Sequence, residues 1–257
     1  AIVSISDKIE TLISIFITGK RPTGSSDPYA LRRNLNGVIL IIWQFELDLA
    51  IENIFYELFE YWEISLPNLK FEKEKVLIDL IEFTNQRIVS HLDELSIDKD
   101  LIKAVCLIDS SSEKRIMNIL DLKNRIKTIN QLKVKTNFSE IQKVISRVCK
   151  LAEKGSLKTN IFLHKDYINP KLFEKDCEIK VFEFIKQLET IISLPNWDYF
   201  RLFKLFETNA NSLNELFDND KGVLIMAEDA EIRNNRLNLL GLVRNYSLKI
   251  ADFTKIN

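Results

Sequence analysis

The sequence predicts an all-α protein, on three observations. Gly and Pro are scarce, at 6 and 5 of 257 residues. Apolar side chains recur at helical spacing along most of the chain. Capping residues stand before several of those runs. An open α/β fold would need more glycine turns. The 46% apolar content supplies a normal core, and the length suits one or two domains.

Taken in order, residues 3–18 read as a helix with Val3, Ile9, Leu12, Ile13 and Phe16 on its apolar side. Residues 19–26 read as a loop. Asp27-Pro28 starts the next helix, because Asp accepts from orphan N–H groups and Pro in the first turn loses no hydrogen bond. That helix runs through Val38–Trp43, apolar all round and so expected to be deeply buried. An acidic amphipathic helix follows to about Trp62. Ser65-Leu66-Pro67-Asn68 breaks the pattern, and a domain boundary there gives domains 1–66 and 67–257.

Further helices are expected over 71–95, from the Asp98 cap to about Ile108, over 113–133, and from an Asn137 or Ser139 cap to Lys154, stopping before Gly155. Residues 155–174 read as loop or short turns, and 176–192 as helix. Pro195-Asn196 opens a helix through Glu207, Asn209–Phe217 is a short one, and 219–226 is a small extended piece. In the final run, Ala227–Phe253, Ile232, Leu239, Val243, Tyr246 and Ile250 form one stripe. Arg233, Arg236 and Arg244 form a second stripe beside it.

Charge is unevenly spread although the net is −1. No Lys or Arg occurs from Asn34 to Leu69, where six carboxylates give −6. From Glu113 to Lys154 there are eleven Lys/Arg against four Asp/Glu, a net +7. Within that segment Lys143, Arg147, Lys150 and Lys154 recur at i, i+4, i+7 and i+11, within about 60° of one another on a helix. Val144, Ile145, Val148, Leu151 and Ala152 take the other side. One face packs and the other presents four cations in a row, a pattern suited to successive phosphates. A solvated face paired with carboxylates from other helices is the alternative. Lys114, Arg115, Lys123, Arg125 and Lys127 on the preceding helix add to the basic surface, which favours nucleic acid. Arg125 joins the four as a backbone contact. Arg233, Asn235 and Arg236, with Arg244, are candidate readers of unstacked bases, since such reading needs donors in fixed forks. The alternative is a structural helix start, with Arg233 and Arg236 on Glu228, Asp229 or Asp252.

No catalytic set is visible. There is no phosphate-cradling glycine loop. His91 and His164 have no nucleophile or ligand cluster beside them and read as surface or partly buried. Cys106, Cys149 and Cys177 are odd in number and widely spaced, which suggests buried thiols in a reducing compartment, with neither disulfides nor zinc. No apolar run reaches the ~18 residues of a membrane span. The first residues lack an initiator Met and a signal peptide and begin inside an amphipathic segment, so the chain is expected to be part of a larger protein.

Several motifs carry a family resemblance. At the N-terminal end they are Ser6-Asp7-Lys8-Ile9-Glu10-Thr11-Leu12, Phe16, Gly19, Pro22-Thr23-Gly24-Ser25, Asp27-Pro28-Tyr29-Ala30-Leu31-Arg32-Arg33 and Gly37. At the C-terminal end they are Phe217-Asp218, the run 223–229, Arg233-Asn234-Asn235-Arg236-Leu237 and Ala251-Asp252-Phe253. Arg147-Val148 and Leu151 form a weaker third element. Together these resemble the glycyl-tRNA synthetase β subunit of bacterial or organellar type. Ser14, Asn34 and Asn36 depart from the usual small residues.

The resemblance implies the end of an HD-like helical domain over 1–66. A helical-bundle anticodon-binding domain, related to that of arginyl-tRNA synthetases, would follow over 67–257. It implies a non-catalytic part of a glycine–tRNA ligase that binds tRNA(Gly), while a separate α subunit activates glycine with ATP and Mg. An α2β2 assembly, no cofactor in this chain, and a cytoplasmic or organellar interior location are implied with it. Asp7 falls where HD-type folds place a late metal ligand, but one carboxylate builds no metal site and a capping or salt-bridging role is the alternative. Two rivals are a stand-alone helical protein- or RNA-interaction module and an HD-class phosphohydrolase.

Overall fold

The computed structural model describes residues 1–106, 118–134 and 137–256. Their regular structure is helical apart from an isolated bridge between Thr23 and Ser26. The chain divides into two compact units, Ala1–Ile102 with Ile108–Asn124, and Lys103–Leu107 with Arg125–Asn257.

The first unit contains α1 (Ile2–Ile17), α2 (Leu31–Phe45), α3 (Ile51–Ser65) and α4 (Lys73–Glu94). Ile9, Leu12, Ile13 and Phe16 of α1 are buried as the periodicity requires, while Val3 is exposed. The Asp27 carboxylate accepts from Leu31 and Arg32 N–H, so it caps α2 from across a turn and the helix begins at Leu31 instead of Pro28. The 38–43 run is not enclosed on all sides. Val38, Ile39 and Ile42 face the core and Leu40 is half exposed. α2 ends at Glu46, whose left-handed backbone (φ 51) stops the helix before α3. The break at Ser65–Asn68 lies within this unit, because α4 packs on α1, α2 and α3. Asn36, one of the departures from the family pattern, accepts from the Arg87 guanidinium of α4. His91 is buried against Trp43, not at the surface (centroids 5.6 Å apart).

After α5 (Lys99–Val105), which Asp98 caps as expected, comes α6 (Ile119–Lys133). Asn118 caps α6 by accepting from Asp121 N–H. Lys114 and Arg115 of the expected basic helix lie outside the described residues. Lys123 is already engaged: its Nζ donates to the Trp43 carbonyl at 2.6 Å and lies 3.4 Å from Glu46.

The second unit is built on α7 (Phe138–Ala152), α8 (Asp176–Ile192), α9 (Tyr199–Glu215) and α10 (Ala230–Leu248). α10 packs on α7 and α8, α9 packs on both as well, and a 3-10 turn at Phe253–Lys255 closes against α7. α9 is one helix where the sequence suggested two. Asp198 caps it through Arg201 N–H, and Leu213 is fully buried past the weak Asn209-Ala210-Asn211 stretch. The Asn209 side chain donates to the Leu205 carbonyl one turn back. Residues 219–226 form turns instead of an extended piece. Cys106, Cys149 and Cys177 are free and buried. Burial pushes the Cys106 and Cys149 thiols up to about 11.

Candidate nucleic-acid interface

α7 is strongly amphipathic. Phe138, Ile141, Val144, Ile145, Val148, Cys149 and Ala152 are buried, so the remaining face must point outward. Lys143, Arg147, Lys150 and Lys154 are all exposed on it. Among the described residues none of the four has an ion pair or a side-chain hydrogen bond. Other lysines of this unit do have partners, such as the exposed Lys180 with Glu215 at 2.6 Å and the half-buried Lys186 with Glu183 at 2.8 Å. The row is therefore not neutralised locally. Its last members stand at the C-terminal end of α7, where cations suit the helix dipole.

The row borders a groove of about 570 Å³ lined by Lys143, Arg147, Lys150, Leu151, Thr254 and Ile256, among others. The C-terminal segment forms its second wall. Gln142 holds that wall in place, donating to the Phe253 carbonyl at 3.0 Å and to the Ile256 carbonyl at 2.8 Å. The Arg147 guanidinium lies over the Phe217 ring, 4.3 Å from its centroid. Phe217 was not among the sequence candidates. Arg125 is half-buried within electrostatic reach of Cys106 and does not line the groove.

The α10 candidates have internal partners. α10 is the central helix of its unit, buried on nearly all sides, and not a two-striped surface helix. Arg236 is about 3% exposed. Its Nε donates to Glu178 at 2.9 Å, its Nη2 to Glu174 at 2.5 Å and its Nη1 to the Leu224 carbonyl at 3.1 Å. Burial opposes its charge, but the two carboxylates outweigh that and raise its pKa. Glu178 is fully buried and also accepts from the N–H groups of Glu174 and Lys175. The partners are thus glutamates of α8 and its approach, neither Asp229 nor Asp252.

The rest of the polar side of α10 fastens the irregular segment 155–169. Asn235 exchanges two hydrogen bonds with the backbone of Asn169, and Asn238 donates to the Tyr167 carbonyl. Arg244 donates to the Leu157 carbonyl at 2.6 Å, to the Ala152 carbonyl at 3.4 Å and to Asn245 Oδ1. Asn245 donates to the Lys158 and Ile161 carbonyls, and the Tyr246 hydroxyl donates to that of Phe162. A segment without helix or sheet has carbonyls that need donors, and α10 supplies them. Gly241 allows the close approach: a Cβ there would meet Leu157 Cδ2 at 2.8 Å. Arg233 is the least enclosed of the set; its Nη1 donates to the Ala227 and Glu228 carbonyls and folds back over the helix start. Asp229 caps that start through Glu231 and Ile232 N–H, which hold its carboxyl below the usual range.

No group of three or more His, Cys, Asp or Glu side chains converges among the described residues. Asp7 is exposed on α1, and no metal-dependent step is assigned to this chain. No described helix is long and apolar enough to cross a membrane.

Comparison with known proteins agrees with the motifs at both ends. Residues 1–107 match the family model described as glycyl-tRNA synthetase beta subunit. The chain is 36% identical over 259 residues to the glycine–tRNA ligase beta subunit of Acaryochloris marina, covering 99% of this chain and 36% of that protein. The corresponding protein of Picosynechococcus is 34% identical over the same shares. That of Clostridioides difficile is 31% identical, over 98% of this chain and 34% of its own length. The chain spans about a third of the length of these curated relatives. It belongs to the glycyl-tRNA synthetase β-subunit family.

Proposed function

We propose that this chain supplies a tRNA-binding surface to a glycine–tRNA ligase. The exposed row of α7 would lie on the backbone of the anticodon arm of tRNA(Gly). The observation that carries this reading is that Lys143, Arg147, Lys150 and Lys154 point outward without carboxylate partners among the described residues. Phosphate contacts dominate affinity for nucleic acids, and each neutralised phosphate releases counterions. Similarity to glycine–tRNA ligase beta subunits supports tRNA(Gly) as that RNA. In this reading the chain positions tRNA, while an α subunit, joined to it in an α2β2 assembly, performs ATP- and Mg-dependent glycylation in the cytoplasm or an organelle. The second unit takes the anticodon-binding role, and the first corresponds to an HD-like region.

The test is a salt titration of tRNA(Gly) binding with the wild-type chain and with Lys143→Gln/Lys150→Gln. Steep salt dependence whose slope falls by roughly 1.5 to 2 in the double variant supports the reading. An unchanged slope removes α7 as the backbone contact. Repeating the titration with an anticodon-swapped tRNA separates anticodon recognition from general RNA affinity.

A further inference from the structure

We propose that Arg147 contacts RNA as a stacking plane for an unpaired base, with Lys143 and Lys150 on the flanking phosphates. This rests on the reading of the α7 face as an RNA surface and sharpens it.

Three features distinguish Arg147 from its neighbours in the row. Its guanidinium is laid against the Phe217 ring at 4.3 Å, which orients a plane that a flexible side chain would not hold by itself. The ring beneath it is fixed by a tight turn. Asp218 Oδ1 accepts from Asp220 and Lys221 N–H, Gly222 N–H donates to the Asp218 carbonyl, and Val223 N–H donates to that of Leu216. A Cβ at Gly222 would fall 2.4 Å from the Asp218 carbonyl and 2.6 Å from that of Leu216, so the turn requires glycine. Lys175 ties the turn down further by donating to the Gly222 carbonyl at 2.6 Å.

The third feature is the groove's composition. It combines cations one turn either side of Arg147 with the apolar Leu151 and Ile256, and among the described residues no carboxylate lines it. A phosphate backbone alone has no use for an apolar wall, whereas a nucleotide presents both a phosphate and an aromatic face. Unstacked RNA bases are commonly received on aromatic rings or guanidinium planes. Asn235, Arg236 and Arg244 are engaged internally, whereas the outer face of Arg147 borders the groove.

The experiment compares the full chain with Arg147→Lys, Phe217→Leu and Lys150→Gln. The probes are a 12-nucleotide oligoadenylate and a blunt RNA duplex, each titrated against salt. Arg147→Lys keeps the charge and loses the plane, and Phe217→Leu loses the ring beneath it. Both are expected to weaken oligoadenylate binding about 5- to 100-fold with the salt slope unchanged, and to leave duplex binding within about twofold. Lys150→Gln is expected to lower the slope on oligoadenylate by about 0.7. If Arg147→Lys binds like wild type while Lys150→Gln lowers the slope, Arg147 is an ordinary phosphate contact; the stacking proposal fails and the RNA surface stands. If no variant alters binding of either probe, both fail. Should Phe217→Leu not fold, as judged by its thermal transition, the exposed Arg147→Lys decides alone.

Discussion

α7 and α10 carry arginines in similar sequence settings, yet the two helices use them in opposite ways. On α7 the apolar positions fill one side and Arg147 stands outside with three lysines, its guanidinium resting on Phe217. On α10 Arg236 and Arg244 lie in the interior, with donors spent on Glu174, Glu178 and the carbonyls of Leu224, Ala152 and Leu157. The difference lies in what surrounds each helix. α7 is packed on one side, whereas α10 is packed by α7, α8 and the 155–169 segment together. A cation on the first kind of helix is available to a ligand. On the second kind it must be neutralised or bonded, because an unpaired buried charge is too costly to keep.

The contrast breaks most directly at Arg236. Arg236→Met leaves the fully buried Glu178 without its cation and is expected to cost about 3–5 kcal/mol in urea unfolding. Arg236→Met/Glu178→Gln should recover part of that loss. A loss below about 1 kcal/mol for the single variant would mean that the pair is not the anchor it is taken for. Arg244→Ala should cost about 2–3 kcal/mol, because buried carbonyls at Ala152 and Leu157 lose their donor. Hydrogen exchange should accelerate selectively over 155–169, and uniform acceleration would argue against a local fastening role.

A smaller effect is expected from Asp229, whose folded pKa is depressed by the N–H groups it caps. A depressed carboxylate adds stability above its unfolded pKa and loses it as pH falls through the folded value. Asp229→Asn keeps the cap without titrating. Its stability should therefore fall less steeply than wild type below about pH 4, and parallel pH curves would remove Asp229 as a contributor. The smallest effect is on α7. Lys143→Gln and Lys150→Gln should each change stability by less than about 0.5 kcal/mol while altering the salt slope of RNA binding. Substantial destabilisation would place the row in the fold and not at its surface.

Much of this division was visible in the sequence. The α7 row followed from spacing alone, because four cations at i, i+4, i+7 and i+11 opposite a continuous apolar face leave one orientation that buries the apolar side. The role of α10 was less plain, but a signal was present. Arg236 stands at helical spacing with Leu239, Leu240 and Val243, and Glu178 with Val181 and Ile185, so each borders the apolar residues of its own helix. A lone acid and a lone base beside apolar residues on two helices are candidates for a buried pair. Their pairing could not be read, because the two residues are 58 positions apart and only chain folding sets them together. Phe217 was noticed only as part of a motif; its place under Arg147 depends on the turn that Gly222 permits.

By itself the sequence determined the helical class, the buried thiols, the outward row of α7 and the family, since these depend on local periodicity and on motifs at the two ends. The tertiary structure decided which polar groups are spent internally. That choice depends on burial from several sides at once: the packing that encloses α10 turns its arginines and asparagines into fasteners for a segment unable to satisfy its own backbone. The single packed side of α7 leaves its cations to solvent and to any anionic partner.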